Sequence, residues 1–171
     1  MKLLKIIKPE NASKAEVKNY KIREAVRAVV TDDKKRVALL RVRKSNFYKL
    51  PGGGIKKFED RLQALERECR EKIGCGIEVT GELGQIIEYR KMHQIKQISY
   101  CYLAKVKGKK SRPSFTPEET REEFKNLWLP YKKALALLSD NKAIGIEGCS
   151  YIVPRDTIFL KTAKDFIAYQ N

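Results

Sequence analysis

The sequence predicts an α/β layered domain, on three observations. Two-residue alternation of apolar side chains marks strands at Lys21–Val30 and Gln97–Val106. Between them, Leu62, Leu65, Cys69 and Ile73 recur at spacings of three and four, the stripe of one amphipathic helix. Further helical segments, Tyr131–Leu138 and Arg155–Ala168, come late in the chain. Strands on both sides of one central helix, with more helices after them, pack most simply as layers around a shared core. A chain of 171 residues suits one domain spanning 1–171. At that size roughly 70% of the unfolded chain's surface can be buried, so no disulfide or metal staple is required.

The elements follow in order. Residues 1–20 are polar and lysine-rich, with Asn11-Ala12-Ser13, and read as an N-terminal arm or strand. Lys21–Val30 puts Arg23, Ala25, Arg27 and Val29 on one face and Glu24, Val26, Ala28 and Val30 on the other. Thr31-Asp32-Asp33-Lys34 has turn chemistry, and Arg36–Arg43 forms the second arm of a hairpin. Leu50-Pro51-Gly52-Gly53-Gly54 demands a sharp turn. The helix then runs from about Asp60 to Ile73, with Gly74 as its left-handed stop. Ile77–Thr80 and Leu83–Arg90 read as two strands, Gly108–Glu123 as a polar loop and Phe124–Leu129 as a short strand. Asn141–Ser150 is a loop, and 153–171 is a C-terminal amphipathic helix.

The formal charge is +16, from 37 Lys and Arg against 21 Asp and Glu. Such a surplus attracts polyanions such as nucleotides and RNA, or serves as a solvated surface. Cys69, Cys75, Cys101 and Cys149 show no CxxC spacing and make no zinc site with the single His93. Free thiols in a reducing cytosol are expected. Lys5 splits the apolar pairs of Met1–Glu10, so no signal-peptide core forms. No stretch approaches the length of a membrane span. A cytoplasmic protein without membrane contact is expected.

Chemistry is concentrated in Gly53–Cys75, GGIKKFEDRLQALERECREKIGC. Gly53, Glu59, Arg67, Glu68, Glu71 and Gly74 stand at the spacing G-x5-E-x7-R-E-U-x-E-E-x-G-U, with U a bulky aliphatic residue, and Leu50-Pro51-Gly52 leads into it. The segment resembles the box of the Nudix hydrolase (MutT-like) family. The resemblance covers roughly Arg23 to Leu138 in order of elements and implies an α/β/α sandwich with a mixed β-sheet. It further implies a Mg²⁺-dependent hydrolase, with Mn²⁺ as an alternative ion, that cleaves the pyrophosphate bond of a nucleoside diphosphate linked to another moiety. Physically, a helix with glutamates on one face can hold Mg²⁺ against phosphate oxygens, and Glu68 and Glu71 are three residues apart on such a face. By resemblance, Glu68 and Glu71 are metal ligands and the catalytic pair, and the Gly52 carbonyl is a further ligand. Gly53, Glu59, Arg67 and Gly74 shape the loop and helix. A loop acid completes the site, with Glu118, Glu119 and Glu122 as candidates and Glu119 chosen.

One position departs from the pattern: the second glutamate of the pair is Lys72. A charged ammonium offers no lone pair to a metal. At about 5 Å and an effective dielectric near 20, its repulsion of a dication is several kcal/mol before relaxation. Three outcomes are open. Lys72 swings away, its ammonium stands in for one metal and meets a phosphate, or the site is inactive. The last leaves a catalytically impaired domain that binds nucleotide or RNA. Substrate-binding candidates are Arg23, Arg41, Tyr48 and Lys72. Arg23, Arg27, Arg41 and Arg43 can grip phosphates in bidentate fashion or face solvent, and Tyr48 can stack on a base or fill the core. Trp128 and the Tyr100/Tyr102 stripe are core candidates, and His93 belongs to a surface turn. A nucleotide-type small molecule is the expected partner, with RNA and a homodimer as further options.

Overall fold

The computed structural model describes residues 1–8, 17–140 and 142–168. The expected arm feature Asn11-Ala12-Ser13 and the last residues of the C-terminal segment lie outside them. Seven strands form one mixed sheet: β1 (Leu3–Ile7), β2 (Lys21–Thr31), β3 (Arg36–Val42), β4 (Phe47–Lys49), β5 (Gly76–Arg90), β6 (Ile95–Lys107) and β7 (Phe124–Pro130). Their order is β1-β5-β6-β2-β3-β4, with β7 on β3. β1 pairs parallel to β5 and β2 parallel to β6, while the other pairs are antiparallel.

Helix α1 (Arg61–Ile73) covers one face of the sheet. The opposite face carries α3 (Tyr131–Ser139) and α4 (Val153–Thr162), and α5 (Lys164–Ala168) follows. The short α2 (Pro117–Arg121) sits between β6 and β7. The strand periodicity explains the layers. Val26, Ala28 and Val30 of β2 and Tyr100, Tyr102 and Ala104 of β6 pack against Leu65, Cys69 and Ile73 of α1. The alternate residues Val29, Cys101 and Leu103 meet Ala134, Leu138, Phe159 and Leu160 on the other side. Each fully buried aliphatic or aromatic side chain contributes about 1.5–3 kcal/mol. The α/β/α sandwich implied by the box is therefore the observed architecture.

Several local expectations are corrected. The β2–β3 hairpin holds only at its turn, where Thr31 faces Val37. Beyond it the strands diverge, because β2 takes β6 as its long partner and β3 takes β7. Into that split comes the glycine segment. The Ala28 N–H donates to the Pro51 carbonyl, the Val26 N–H to the Gly53 carbonyl, and the Ile55 N–H to the Glu24 carbonyl. β5 is one continuous strand with irregular register at Val79/Gly81 and Glu82/Gly84, not two. Leu62 is 51% exposed, and the buried face of α1 instead runs through Ala64, Leu65, Glu68, Cys69, Lys72 and Ile73. The polar 108–123 stretch contains α2, and the 141–150 loop gives way to a π-helical turn, Glu147–Ile152. The C-terminal segment is two helices, with Ala163 between them, rather than one.

Candidate active site

Gly52, Gly53 and Gly54 line a cleft of about 360 Å³ together with Glu68, Glu71 and Lys72 of α1 and Glu118 and Glu119 of α2. Packing explains the glycines. Gly52 has φ 134, and a Cβ there would lie 2.1 Å from the Val26 carbonyl oxygen. A Cβ on Gly53 would overlap the Glu68 carboxylate at 2.3 Å. The backbone is thus pressed between β2 and the acidic side chain, an approach that only glycine permits.

α1 is held at both ends by local chemistry. Asp60 accepts from the backbone N–H groups of Leu62 and Gln63, and Gln63 reciprocates in a capping box. Gly74 ends the helix with φ 69. Its carbonyl accepts from the Ser111 N–H at 2.6 Å, and the Glu71 carbonyl accepts from the Ser114 N–H at 2.8 Å. These bonds lay the 108–116 segment over the helix end and deliver α2 to the cleft. Thr116 caps α2 and exchanges bonds with Glu119.

Arg67 organises the cleft's loop. Its guanidinium donates to both Glu59 oxygens at 2.6 and 2.9 Å, to the Gly54 carbonyl at 3.1 Å and to Glu68 Oε1 at 2.7 Å. The hydrogen bond to Arg67, followed by the Lys56 N–H, holds the Glu59 carboxyl down at about 2.

Lys72 is 5% exposed and points into the acidic group. Its Nζ lies 2.8 Å from Glu119 Oε2, 3.2 Å from Glu71 Oε2 and 3.9 Å from Glu68 Oε2. Burial works against the ammonium, but the hydrogen bond to Glu119 and the attraction of Glu119 and Glu68 outweigh it, so its pKa rises above the ordinary lysine value. One acidic atom is left over: Glu68 Oε2 is buried with no hydrogen-bond partner. Among the described residues no three acidic, thiol or imidazole side chains come together in a metal-holding geometry. The donor set nonetheless suits a divalent cation, because Glu68 has an unsatisfied oxygen beside a glycine cradle, with Glu71 and Glu119 around the same point. Lys72 is the member that competes for that position.

The structure brings together Gly52, Gly53, Glu59, Arg67, Glu68, Glu71, Lys72 and Glu119, and also Arg23. Of the three loop acids, Glu119 meets Lys72 and Glu118 lines the cleft, whereas Glu122 accepts from the Ser45 hydroxyl away from it. Arg41 and Tyr48 lie apart from this group: neither lines the cleft, and Arg41 stacks over the Tyr48 ring at 5.9 Å. Tyr48 packs against the α3/α4 core, so strand alternation turns its neighbour Lys49 toward the cleft. Lys49, Lys56, Arg90, Thr116 and Ile152 also line the cleft and are not among the sequence candidates. Lys49 belongs to a three-residue strand too short for periodicity, and Arg90 ends a strand whose partner register was not readable.

Behind the cleft lies a buried polar network. Arg155, with no exposed surface, donates to Asp156 Oδ1 at 2.6 Å and to Glu88 Oε2 at 3.2 Å. Glu88 also accepts from Arg90, Gln97 and Ser99. Asp156 accepts from the Leu50 N–H at 2.8 Å, which ties α4 to the start of the glycine segment.

The fold agrees with comparisons against known proteins. The NUDIX domain model matches residues 21–146, and the chain belongs to the Nudix family, hydrolases of pyrophosphate-containing substrates. The E. coli ORF135 protein superposes with a TM-score of 0.61 at 18% identity, over 90% of this chain and 96% of that one. The MutT protein from Methanosarcina mazei Go1 gives 0.59 at 17% identity, over 86% and 97%. An ADP-ribose pyrophosphatase from Streptococcus suis 89-1591 gives 0.53 at 12% identity, over 83% and 92%. At these identities the likeness is one of fold. No curated protein matches the sequence.

Proposed function

We propose that this chain is a Mg²⁺-dependent hydrolase, also served by Mn²⁺, that cleaves the pyrophosphate bond of a nucleoside diphosphate linked to another moiety. The observation that carries this reading is the convergence of Glu68, Glu71 and Glu119 on one positive centre, beside the glycine cradle. Glu68, Glu71, Glu119 and the Gly52 carbonyl are the groups that would hold the ion. When bound, it would neutralise diphosphate oxygens and lower the pKa of a water molecule. Arg67 keeps Glu68 and the Gly54 carbonyl in place. Glu71, whose side chain is 31% exposed, has room to accept the proton of the attacking water. That water adds to one phosphorus, the bridging P–O bond breaks, and its electron pair leaves with the other phosphate. Lys72, displaced from the acids, can pair with a phosphate oxygen of the substrate. A nucleotide-type substrate in the cytoplasm belongs to the same reading, supported by buried free thiols at Cys69, Cys75 and Cys101. No helix among the described residues is long and apolar enough to cross a membrane.

A panel of nucleoside triphosphates, sugar nucleotides, ADP-ribose, dinucleoside polyphosphates and capped RNA, with Mg²⁺ or Mn²⁺, tests the proposal. Hydrolysis of at least one substrate is expected, with losses of about 10²-fold or more in Glu68→Gln. Lys72→Glu is expected to raise metal affinity or turnover. No turnover across the panel, with no metal bound by calorimetry, would overturn it. The second reading is a non-catalytic nucleotide- or RNA-binding domain, favoured by the ion pairs that already satisfy Lys72. It requires binding without turnover, falling steeply with salt.

A further inference from the structure

Apolar side chains gather in the open beside the start of α1. Phe58 is 92% exposed, Ile22 61% and Leu62 51%. Phe58 sits in the turn where the Glu59 N–H donates to the Lys56 carbonyl at 3.2 Å. Its φ of 69 is a left-handed conformation that bulky residues rarely adopt. The chain thus holds a large apolar ring in water, on a backbone that glycine would tolerate better. Next to it lies an open hollow of about 460 Å³, lined by Glu24, Ile55, Glu59, Asp60, Arg61 and Leu62. Ile22 precedes Glu24 by two residues on β2 and so faces the same side of the sheet. A projecting ring and a recess with apolar walls therefore share one surface. Phe58, Ile55 and Leu62 do not line the glycine cleft.

The charge of this surface decides what can cover it. Glu24 and the segment 55–62 hold three acidic residues, Glu24, Glu59 and Asp60, and three basic ones, Lys56, Lys57 and Arg61. These cancel, on a chain whose net charge is +16. Over the rest of the surface two copies of the chain repel one another, but here they do not. A nucleic acid gains little from such a patch, because its binding is driven by unbalanced positive charge. Balanced charges of both signs around an exposed aromatic suit a contact in which a two-fold axis sets one patch against its own copy.

We propose that this surface joins two copies of the chain, each seating Phe58 in the hollow of the other. In that arrangement Lys56 and Lys57 of one protomer meet Glu24 and Asp60 of its partner. An aromatic anchor seated in a pocket carries a large share of the energy of such contacts. The seated ring also braces the turn whose Glu59 is held by Arg67. This contact does not depend on the hydrolase reading.

Sedimentation velocity on the full-length protein tests it. The mass is expected to rise from monomer toward dimer between about 1 and 500 µM. Association should strengthen from about 50 to 500 mM NaCl, because salt screens the repulsion of two +16 chains and spares the apolar contact. Phe58→Gly should weaken the dimer at least about tenfold, while its urea midpoint stays level or rises, because glycine accepts the left-handed turn. Leu62→Lys, which changes the hollow instead of the ring, should weaken it as much. Ile144→Lys, at a separate exposed apolar position, should leave it unchanged and so excludes a general effect of surface hydrophobicity. If Leu62→Lys fails to fold, Phe58→Gly carries the test. A monomer at every concentration and salt, or a dimer that survives Phe58→Gly, overturns the proposal. A monomer that binds a single-stranded oligoribonucleotide and loses that affinity in Phe58→Gly also overturns it, and assigns the patch to RNA.

Discussion

Lys72 is the cation at the centre of the acidic group. Its ammonium occupies the focus of Glu68, Glu71 and Glu119, so removing it leaves three carboxylates around one point. Lys72→Met is expected to cost about 2–4 kcal/mol in urea denaturation without metal, as an uncompensated buried charge does. Millimolar Mg²⁺ should restore much of that loss, because an ion that binds only the folded state stabilises it. A Mg²⁺-insensitive midpoint would show that the carboxylates cannot seat a cation. The pH dependence has a definite sign. Lys72's folded pKa lies above its ordinary value, so its stabilising pairs persist below that ordinary value and are lost as pH rises through the raised one. Gly52→Ala should cost about 1–3 kcal/mol from its φ alone, before the overlap with Val26, measured by the same denaturation. The departure at position 72 was legible in the sequence. Its closest partner among three loop glutamates was not, because that depends on where α2 lands.

At the scale of elements, α1 shows how local signals specify a piece of the site. Asp60, Gln63 and Gly74 set both ends through hydrogen bonds within a turn, and the apolar spacing with the Gly74 stop places the helix to within a residue. Asp60→Ala should lower stability by about 0.5–2 kcal/mol in chemical denaturation, the usual worth of such a cap. α2 had a comparable signal in Thr116-Pro117-Glu118-Glu119, a capping box with proline at the first helical position. The polar stretch around it masks that signal. The hairpin departs from its expectation for a different reason. Thr31–Asp33 does turn the chain, and Asp32 holds it through Arg36 and Lys110. Burial raises the Asp32 pKa, but those bonds outweigh it and leave the carboxyl far below its usual value. Its contribution is therefore present above the ordinary aspartate pKa and lost as pH falls. Asp32→Asn should cost about 1.5–3 kcal/mol at neutral pH, and much less in strong acid. No turn motif reveals that the two arms then separate to admit Pro51–Ile55.

Across the whole molecule, the Glu88–Arg155–Asp156 network joins the sheet, α4 and the Leu50 amide, and so supports the glycine segment from behind. Arg155→Met would leave Glu88 and Asp156 short of a counter-charge in the interior. A loss of about 3–5 kcal/mol is expected in denaturation at pH 7. Arg155 and Arg90 hold the Glu88 carboxyl below its ordinary pKa against the effect of burial. The penalty in the variant should therefore shrink as the pH falls below the ordinary glutamate range and Glu88 takes up a proton. A penalty unchanged with pH would show that Arg155 acts through packing alone.

The sequence by itself determined the fold class, the central helix with its Gly74 stop, and a turn of glycines leading into it, because each is written in short-range spacing. Only the tertiary structure decided which charges share the cleft. Lys49, Arg27 and Arg90 face it through strand alternation and pairing, and Glu119 reaches it because Ser111 and Ser114 fasten a distant loop to the end of α1. Such convergence joins residues far apart in the chain, and no local period encodes the distance between them.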